Sequence, residues 1–255
     1  MSKKLIVTGA SRGIGKAIAT ELAKDGWDIG FTYSRSPEEK INGILQTFRS
    51  FGVRAFAQRL DVSDAESIAP ALDVLTDSLG GLDAFINNAG VTKYIPFLDA
   101  TVDEFNSLMG IDYRGTYFCA QYAAKYMIAR ETRGCIINIA SVHSAINFPA
   151  ASMYGPNKAA VAKLTQHIAL ELAPYGIRCN SISPGLIIGP DHVMDPGRLA
   201  MMNSRIPAQR QGSPSEIAGV VRFLVSDAAE YITGSDFVID GGARLPALLD
   251  NHYSK

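Results

Sequence analysis

The chain has little of what would commit it to the more specialised ways of building a protein. Its three cysteines, Cys119, Cys135 and Cys179, are far apart, odd in number and contain no C-x-x-C pair. That pattern excludes a disulfide framework, and the thiols read as small buried hydrophobes. The four histidines are scattered, with no H-x-x-x-H spacing, so no metal site is expected. Charge of one sign is not in excess either, since 24 Lys and Arg stand against 25 Asp and Glu. Neither nucleic acid nor an anionic membrane is suggested as a partner, and a small molecule is expected instead. In "MSKKLIVTGAS" the apolar run is too brief for a signal-peptide core or a membrane span, so a cytoplasmic location is expected. Linkers, repeats and low-complexity tracts are missing, so residues 1–255 are expected to form a single domain.

What is present is a regular alternation. Short β-rich runs ("KLIVT", "DIGFTY", "VRAFAQRL", "LDAFIN", "GCIINIA", "IRCNSIS", "DFVID") are separated by helical patterns at Ile14 to Lys24, Glu38 to Phe51, Ala65 to Leu79, about Val102 to Arg130, after Tyr154, and Pro214 to Ser226. Strands apolar on both faces and spaced by helices predict a parallel sheet covered on both sides. The fold class expected is α/β, a doubly wound Rossmann domain with about seven strands and helices on both faces. The least regular part, Leu186 to Gly212, follows a strand's carboxyl end and is either a substrate lid or an ordinary surface excursion.

"VTGASRGIG" follows the first strand and opens the first helix. Gly9 permits the tight exit from the strand, Gly13 lets backbone approach a pyrophosphate, and Gly15 lets the helix pack closely on the sheet. Ser11 and Ile14 lie in the same turn, whose helix amino terminus faces the phosphates. A carboxylate about twenty positions on would mark an NAD site. Here "TYSRSPEE" has none at Tyr33 or Ser34, while Arg35 stands where it could pair with a 2′-phosphate, aided by Arg12. NADP(H) is therefore expected over NAD(H), unless both arginines are only solvated.

"SMYGPNKAAV" sets Tyr154 and Lys158 at a helix entrance, because Pro156 is tolerated only in a first turn. At i, i+4 spacing the two side chains project from one side, and the ammonium favours the phenolate of a group with an ordinary pKa of about 10. Ser141 closes the strand "GCIINIAS", where its hydroxyl can bond a substrate oxygen as the tyrosine's proton moves.

With these residues in place the sequence resembles a short-chain dehydrogenase/reductase over nearly its whole length, including members of the 3-oxoacyl reductase and sugar dehydrogenase types. The segments that carry the resemblance are "TGASRGIG", "LDVSD", "NNAG", Ser141 with "YGPNK", "SPG", "RQGSPSEIA" and "ITGSDFVIDGG". It implies that Asp61 contacts the adenine with Val62 beside it, and that Asn88, Ala89 and Gly90 run under the adenosine ribose. Pro184, Gly185 and Ile187 would meet the nicotinamide end, Ile187 through its backbone. Tyr154 would be the general acid/base, Lys158 would hold the nicotinamide ribose, and Ser141 would orient the substrate. A homotetramer is implied as well.

Two positions depart from the family pattern. In "MGIDYRGTYF" Asp112 replaces the usual asparagine beside the lysine, and a carboxylate there could pair with Lys158. In "PGLIIGP" Gly189 stands where a threonine often touches the carboxamide, which implies looser closure on the cofactor. Candidate substrate contacts are His143, Ser144, Phe148, Met153, Leu186 and His192, although His143 is equally readable as an ordinary loop histidine. The functions weighed are an NADP(H)-dependent carbonyl reductase, a polyol or aldose dehydrogenase, and a cofactor-binding sensor or scaffold of low turnover. The tail "ARLPALLDNHYSK" could lie on a neighbouring subunit, cover the pocket or fray.

Overall fold

Leu5 and Val7 point into one apolar core and Ile6, between them, into another, which is the period-two signature of a strand buried on both faces. The computed structural model, which describes residues 2–190 and 194–245, repeats this across the sheet: Ala84 and Ile86 go one way and Phe85 the other, Ile137 one way and Ile136 the other. The strands are β1 (Lys4–Val7), β2 (Asp28–Tyr33), β3 (Ala55–Arg59), β4 (Ala84–Asn87), β5 (Cys135–Ile139), β6 (Arg178–Pro184) and β7 (Asp236–Ile239). They form one parallel sheet in the order β3-β2-β1-β4-β5-β6-β7, with Val7 level with Phe31 on one side and Ile86 on the other.

The helices are α1 (Gly13–Lys24), α2 (Glu38–Arg49), α3 (Ala65–Leu79), α4 (Val102–Met109), α5 (Thr116–Ala129), α6 (Tyr154–Leu172), α7 (Pro196–Asn203) and α8 (Pro214–Leu224). Ile18 and Leu22 of α1, Ile44 and Phe48 of α2 and Val221 and Leu224 of α8 fill the first core. Leu72 and Leu75 of α3, Ala123 and Met127 of α5 and Leu172 of α6 fill the second. The strand order reverses between β1 and β4, the place at which open sheets of this kind take their ligands, beyond the carboxyl ends of the strands.

The sequence predicts one long helix from Val102 to Arg130, and the structure corrects this. A π-helical turn, Gly110–Gly115, separates α4 from α5. Its last residue has to be glycine, since a Cβ on Gly115 would stand 2.8 Å from the Val62 carbonyl oxygen. The wider turn carries the Asp112 side chain into the interior, where it is fully buried. The segment from Leu186 to Gly212 has regular structure among its described residues. It contains α7 and is closed at its neck, where Ile188 N–H bonds Gly212 O at 3.0 Å and Gly212 N–H bonds Leu186 O at 2.9 Å. His192 and residues 246–255 of the tail lie outside the described residues.

Candidate active site

The glycine turn is built around Asn88 and Thr8. Asn88 Nδ2 donates to the carbonyls of Thr8 and Gly9 at 2.9 and 3.1 Å, and the Thr8 hydroxyl accepts from the backbone N–H groups of Asn88 and Ala89, both at 3.0 Å. The roles of two glycines follow from this. Gly9, at φ +67°, lies so close to Ala89 that a Cβ would meet its Cα at 2.9 Å. Gly15 makes room for the Asn88 amide rather than simply for the sheet, since a Cβ there would collide with Asn88 Nδ2. Gly13, at φ +56°, has open space where its Cβ would be, and it begins a helix with no side-chain cap at Arg12 and no acid in the first turn. Uncapped N–H groups beside an open glycine suit a pyrophosphate. Ile14 is half-buried against the first core.

At the end of β2, Ser36 Oγ donates to Ser11 Oγ at 2.8 Å, and Arg12 and Arg35 are both exposed. Hydroxyls and guanidinium groups occupy this end, and the Asp61 carboxyl lies near enough to feel the charge of Arg35. Asp61 is turned back on its own loop and accepts from Ser63 N–H and Ser63 Oγ at 3.0 and 2.7 Å, bonds that hold its carboxyl below the ordinary carboxylate range, with Arg35 adding to the effect. Val62 is buried beside it. Sequence reasoning passed over Ser36, because a serine in a turn carries no distinctive signal.

The second cluster lies at the ends of β4 and β5. Ser141, Tyr154 and Lys158 are 6, 7 and 6% exposed, low values for a polar trio. Lys158 Nζ donates to Ile139 O at 3.2 Å and stands 5.7 Å from the centre of the Tyr154 ring. Asp112 Oδ1 is 3.8 Å from Lys158 Nζ and accepts from Val91 N–H at 2.9 Å. Burial pushes the Asp112 carboxyl above the ordinary range, against the pull of Lys158 and the Val91 bond. Gly90 is the one residue that fits over this pair, as a Cβ would stand 2.8 Å from Asp112 Oδ1 and 3.3 Å from Lys158 Nζ. The segment Asn88 to Gly90 thus runs from the glycine turn, where Asn88 is bonded to Thr8, to the pair Asp112 and Lys158 beside Tyr154.

Above Tyr154 sits an aromatic group. The His143 ring stacks on Phe148 with centroids 4.1 Å apart and meets Tyr154 edge-on at 5.2 Å. Tyr94, which the sequence reading missed because nothing in "VTKY" marks it, approaches His143 Nε2 through its hydroxyl at 3.5 Å. Met153 packs with Ile95, Leu108 and Tyr154, while Leu186 is half-buried at the start of the excursion. Pro184 is buried at the end of β6, and a Cβ on Gly185 would meet Asp240 Cα at 2.8 Å. Ile187 is bridged to Gly212, and Gly189 faces Pro214, whose Cγ a Cβ would approach at 3.1 Å. Among the described residues no group of three or more His, Cys, Asp or Glu side chains is placed to hold a metal ion, and no helix is long and apolar enough to cross a membrane.

A doubly wound parallel sheet with an open glycine turn at its switch point defines a dinucleotide-binding class. The family model described as "Enoyl-(Acyl carrier protein) reductase" matches residues 9–244, and the chain belongs to the short-chain dehydrogenase/reductase family, oxidoreductases that use NAD(P)(H) on alcohol and carbonyl substrates. It is 35% identical to an L-rhamnose 1-dehydrogenase (NAD(P)(+)) of Azotobacter vinelandii, over 95% of this chain and 96% of that one. It is 36% identical to a 3-oxoacyl-(acyl-carrier-protein) reductase of Staphylococcus aureus, over 95% of this chain and 98% of the other. Among solved structures, acetoin dehydrogenase YohF from Salmonella typhimurium superposes with a TM-score of 0.92 at 38% identity, covering 99% of this chain and all of that one, 100%.

Proposed function

We propose that the protein interconverts a carbonyl compound and a secondary alcohol with NADP(H) in preference to NAD(H), using Tyr154 as general acid/base. The observation that carries this reading is the buried trio Ser141, Tyr154 and Lys158 at the strand ends, with Lys158 tied to Ile139 O. When bound, the nicotinamide supplies or accepts the hydride. Ser141 would hold the substrate oxygen, Tyr154 would give or take its proton, and Lys158 would hold the nicotinamide ribose while keeping a positive charge beside the phenol. Asp112 acts as a positioning residue that sets the place of the lysine. Arg35, Arg12, Ser11 and Ser36 would receive the 2′-phosphate, while Asp61, Val62, Asn88, Ala89 and Gly90 would line the adenosine.

A second reading, a polyol or aldose dehydrogenase working oxidatively, is favoured by His143 beside Tyr154 and by the likeness to a rhamnose dehydrogenase. Leu186 to Gly212 would serve as a lid, the chain as one cytoplasmic domain. The exposed Phe97 and Leu98 just before α4 and Val102 and Phe105 within it, with Leu170 of α6, would be covered in a homotetramer. Substituting Tyr154→Phe tests the central claim. Turnover across ketones, sugars and acyl thioesters should fall about 10²–10⁴-fold with cofactor binding retained, and undiminished turnover would overturn it.

A further inference from the structure

The carboxyl beside Lys158 uses only one of its two oxygens. Asp112 is fully buried; its Oδ1 accepts from Val91 N–H at 2.9 Å, and its Oδ2 has no hydrogen-bond partner among the described residues. An asparagine of the same shape would accept the Val91 bond equally well. What the carboxyl adds is therefore charge, and the opposite charge beside it is Lys158 Nζ, 3.8 Å from Oδ1 and itself buried.

Neither partner is free to swing away. The π turn that carries Asp112 is tied by Thr116 Oγ1, which donates to Asp112 O at 2.8 Å, by Asn87 Nδ2, which donates to Thr116 O at 3.2 Å, and by Arg114, which donates to Ser63 O at 2.7 Å. Lys158 is tied to Ile139 O and stands 5.7 Å from the centre of the Tyr154 ring. The other ionisable groups nearby are neutral or engaged elsewhere. Burial keeps His143, edge-on to Tyr154, uncharged, and it raises the Tyr94 phenol, on which Arg198 of α7 acts in the opposite sense. Arg114 is turned to Ser63, and Lys93, on the loop before α4, is paired with Glu104 at 2.8 Å. Burial also delays ionisation of the Asp112 carboxyl, with Lys158 pulling the other way, so its charge arrives as pH rises. From that point upward Tyr154 faces a compensated pair in place of a lone ammonium.

Resting on the carbonyl–alcohol reading above, we propose that Asp112 offsets the charge of Lys158 at Tyr154, so that the tyrosine holds its proton more firmly and the protein works chiefly as a carbonyl reductase. In reduction Tyr154 gives its proton to the carbonyl oxygen as the hydride comes from the nicotinamide, and solvent returns the proton afterwards. In oxidation the phenolate has to exist first, to take the proton of the alcohol. A lone ammonium favours that phenolate, and a carboxylate 3.8 Å from the ammonium cancels much of its field. The overall equilibrium is untouched; what changes is how much of the enzyme stands ready for each direction at a given pH. Asp112 acts through Lys158 and is a positioning residue in this scheme.

The test follows alcohol oxidation with NADP+ against pH in the full-length enzyme, using whichever of cyclohexanol, L-rhamnose and a 3-hydroxyacyl thioester turns over fastest, together with reduction of the matching carbonyl by NADPH. In Asp112→Asn the half-maximal kcat/KM for oxidation should come about one pH unit lower than in wild type, and the alkaline limb of reduction should move down with it. The variant-to-wild-type ratio for oxidation is then about tenfold greater on the acid limb than on the alkaline plateau. Asp112→Ala, which removes the charge without adding an amide, should shift both limbs the same way. Structural damage alone lowers a profile without moving it. Limbs that stay in place or move to higher pH in Asp112→Asn, or in Asp112→Ala should the asparagine variant not fold, would overturn the inference and leave the carbonyl–alcohol reading intact. Wild type that turns over none of the three alcohols and none of their carbonyls would sink that reading, and the inference with it.

Discussion

The cofactor half of the site and the substrate half are built to different standards. Around the glycine turn, Thr8, Asn88, Ser11 and Ser36 all bond to one another or to backbone. The buried side-chain atoms without a partner among the described residues, Asp112 Oδ2, His143 Nδ1 and Asn203 Oδ1, fall beside Lys158, above Tyr154 and in α7. A polar group left unpaired in the interior is costly, so it persists where something else supplies the bond. Around the glycine turn the side chains are bonded among themselves and the uncapped backbone N–H groups at the start of α1 are left for the ligand. The other half keeps its unpaired polar atoms in the interior, on side chains.

Breaking the finished half should give the largest effect. Gly15→Ala drives a Cβ into the Asn88 amide. It should cost about 1–3 kcal/mol of stability, read from denaturant unfolding, and weaken NADP(H) binding about tenfold in a fluorescence titration. Gly13→Ala, with open space but φ +56°, should show the backbone cost with no such collision, so equal losses in the two variants would refute the packing account. Next, Arg35→Ala should raise the KM for NADP+ about tenfold, the worth of a charge-assisted bond, and leave that for NAD+ where it is. Equal changes for both cofactors would remove Arg35 from the 2′-phosphate.

The smallest and most discriminating effect concerns Asp112→Asn. Burial raises the Asp112 carboxyl above its ordinary 3.8, so the native state binds a proton that the unfolded state has released. Its contribution to stability is complete below 3.8 and is lost as pH rises through the folded value. The asparagine variant lacks this loss, so its melting temperature relative to wild type should climb between acid and neutral pH. A relative melting temperature that falls over the same range would mean that Asp112 stays ionised in the folded protein, paired with Lys158. Asp61, whose carboxyl is held low by Ser63, works in the opposite sense and is common to both proteins.

Much of this was legible in the sequence, for reasons that can be named. Both-face burial leaves continuous apolar runs, so β1, β4 and β5 read directly as parallel strands. "TGASRGIG" and "YGPNK" are local in sequence and close in space, so their spacing survives folding. Three things did not show. The π turn at Gly110–Gly115 packs against Val62, far away in sequence, and a single inserted residue leaves the apolar pattern on either side helical. The role of Gly15 depends on Asn88, far along the chain. Tyr94 comes to His143 through the Ile95–Ala150 backbone bond, which has no side-chain signature.

The paired backbone bonds at the neck between Leu186 and Gly212 have a consequence for how such a protein diversifies. The two ends of the excursion are stitched to each other, and its last part is tied down separately, Ala208 N–H donating to Gly241 O at 3.0 Å with Ile206 buried beside it. α7 lies outside both ties and buries no residue, so it can be exchanged as a cassette while the hydride-handling frame stays put, and the range of molecules accepted can drift without a new fold having to be found.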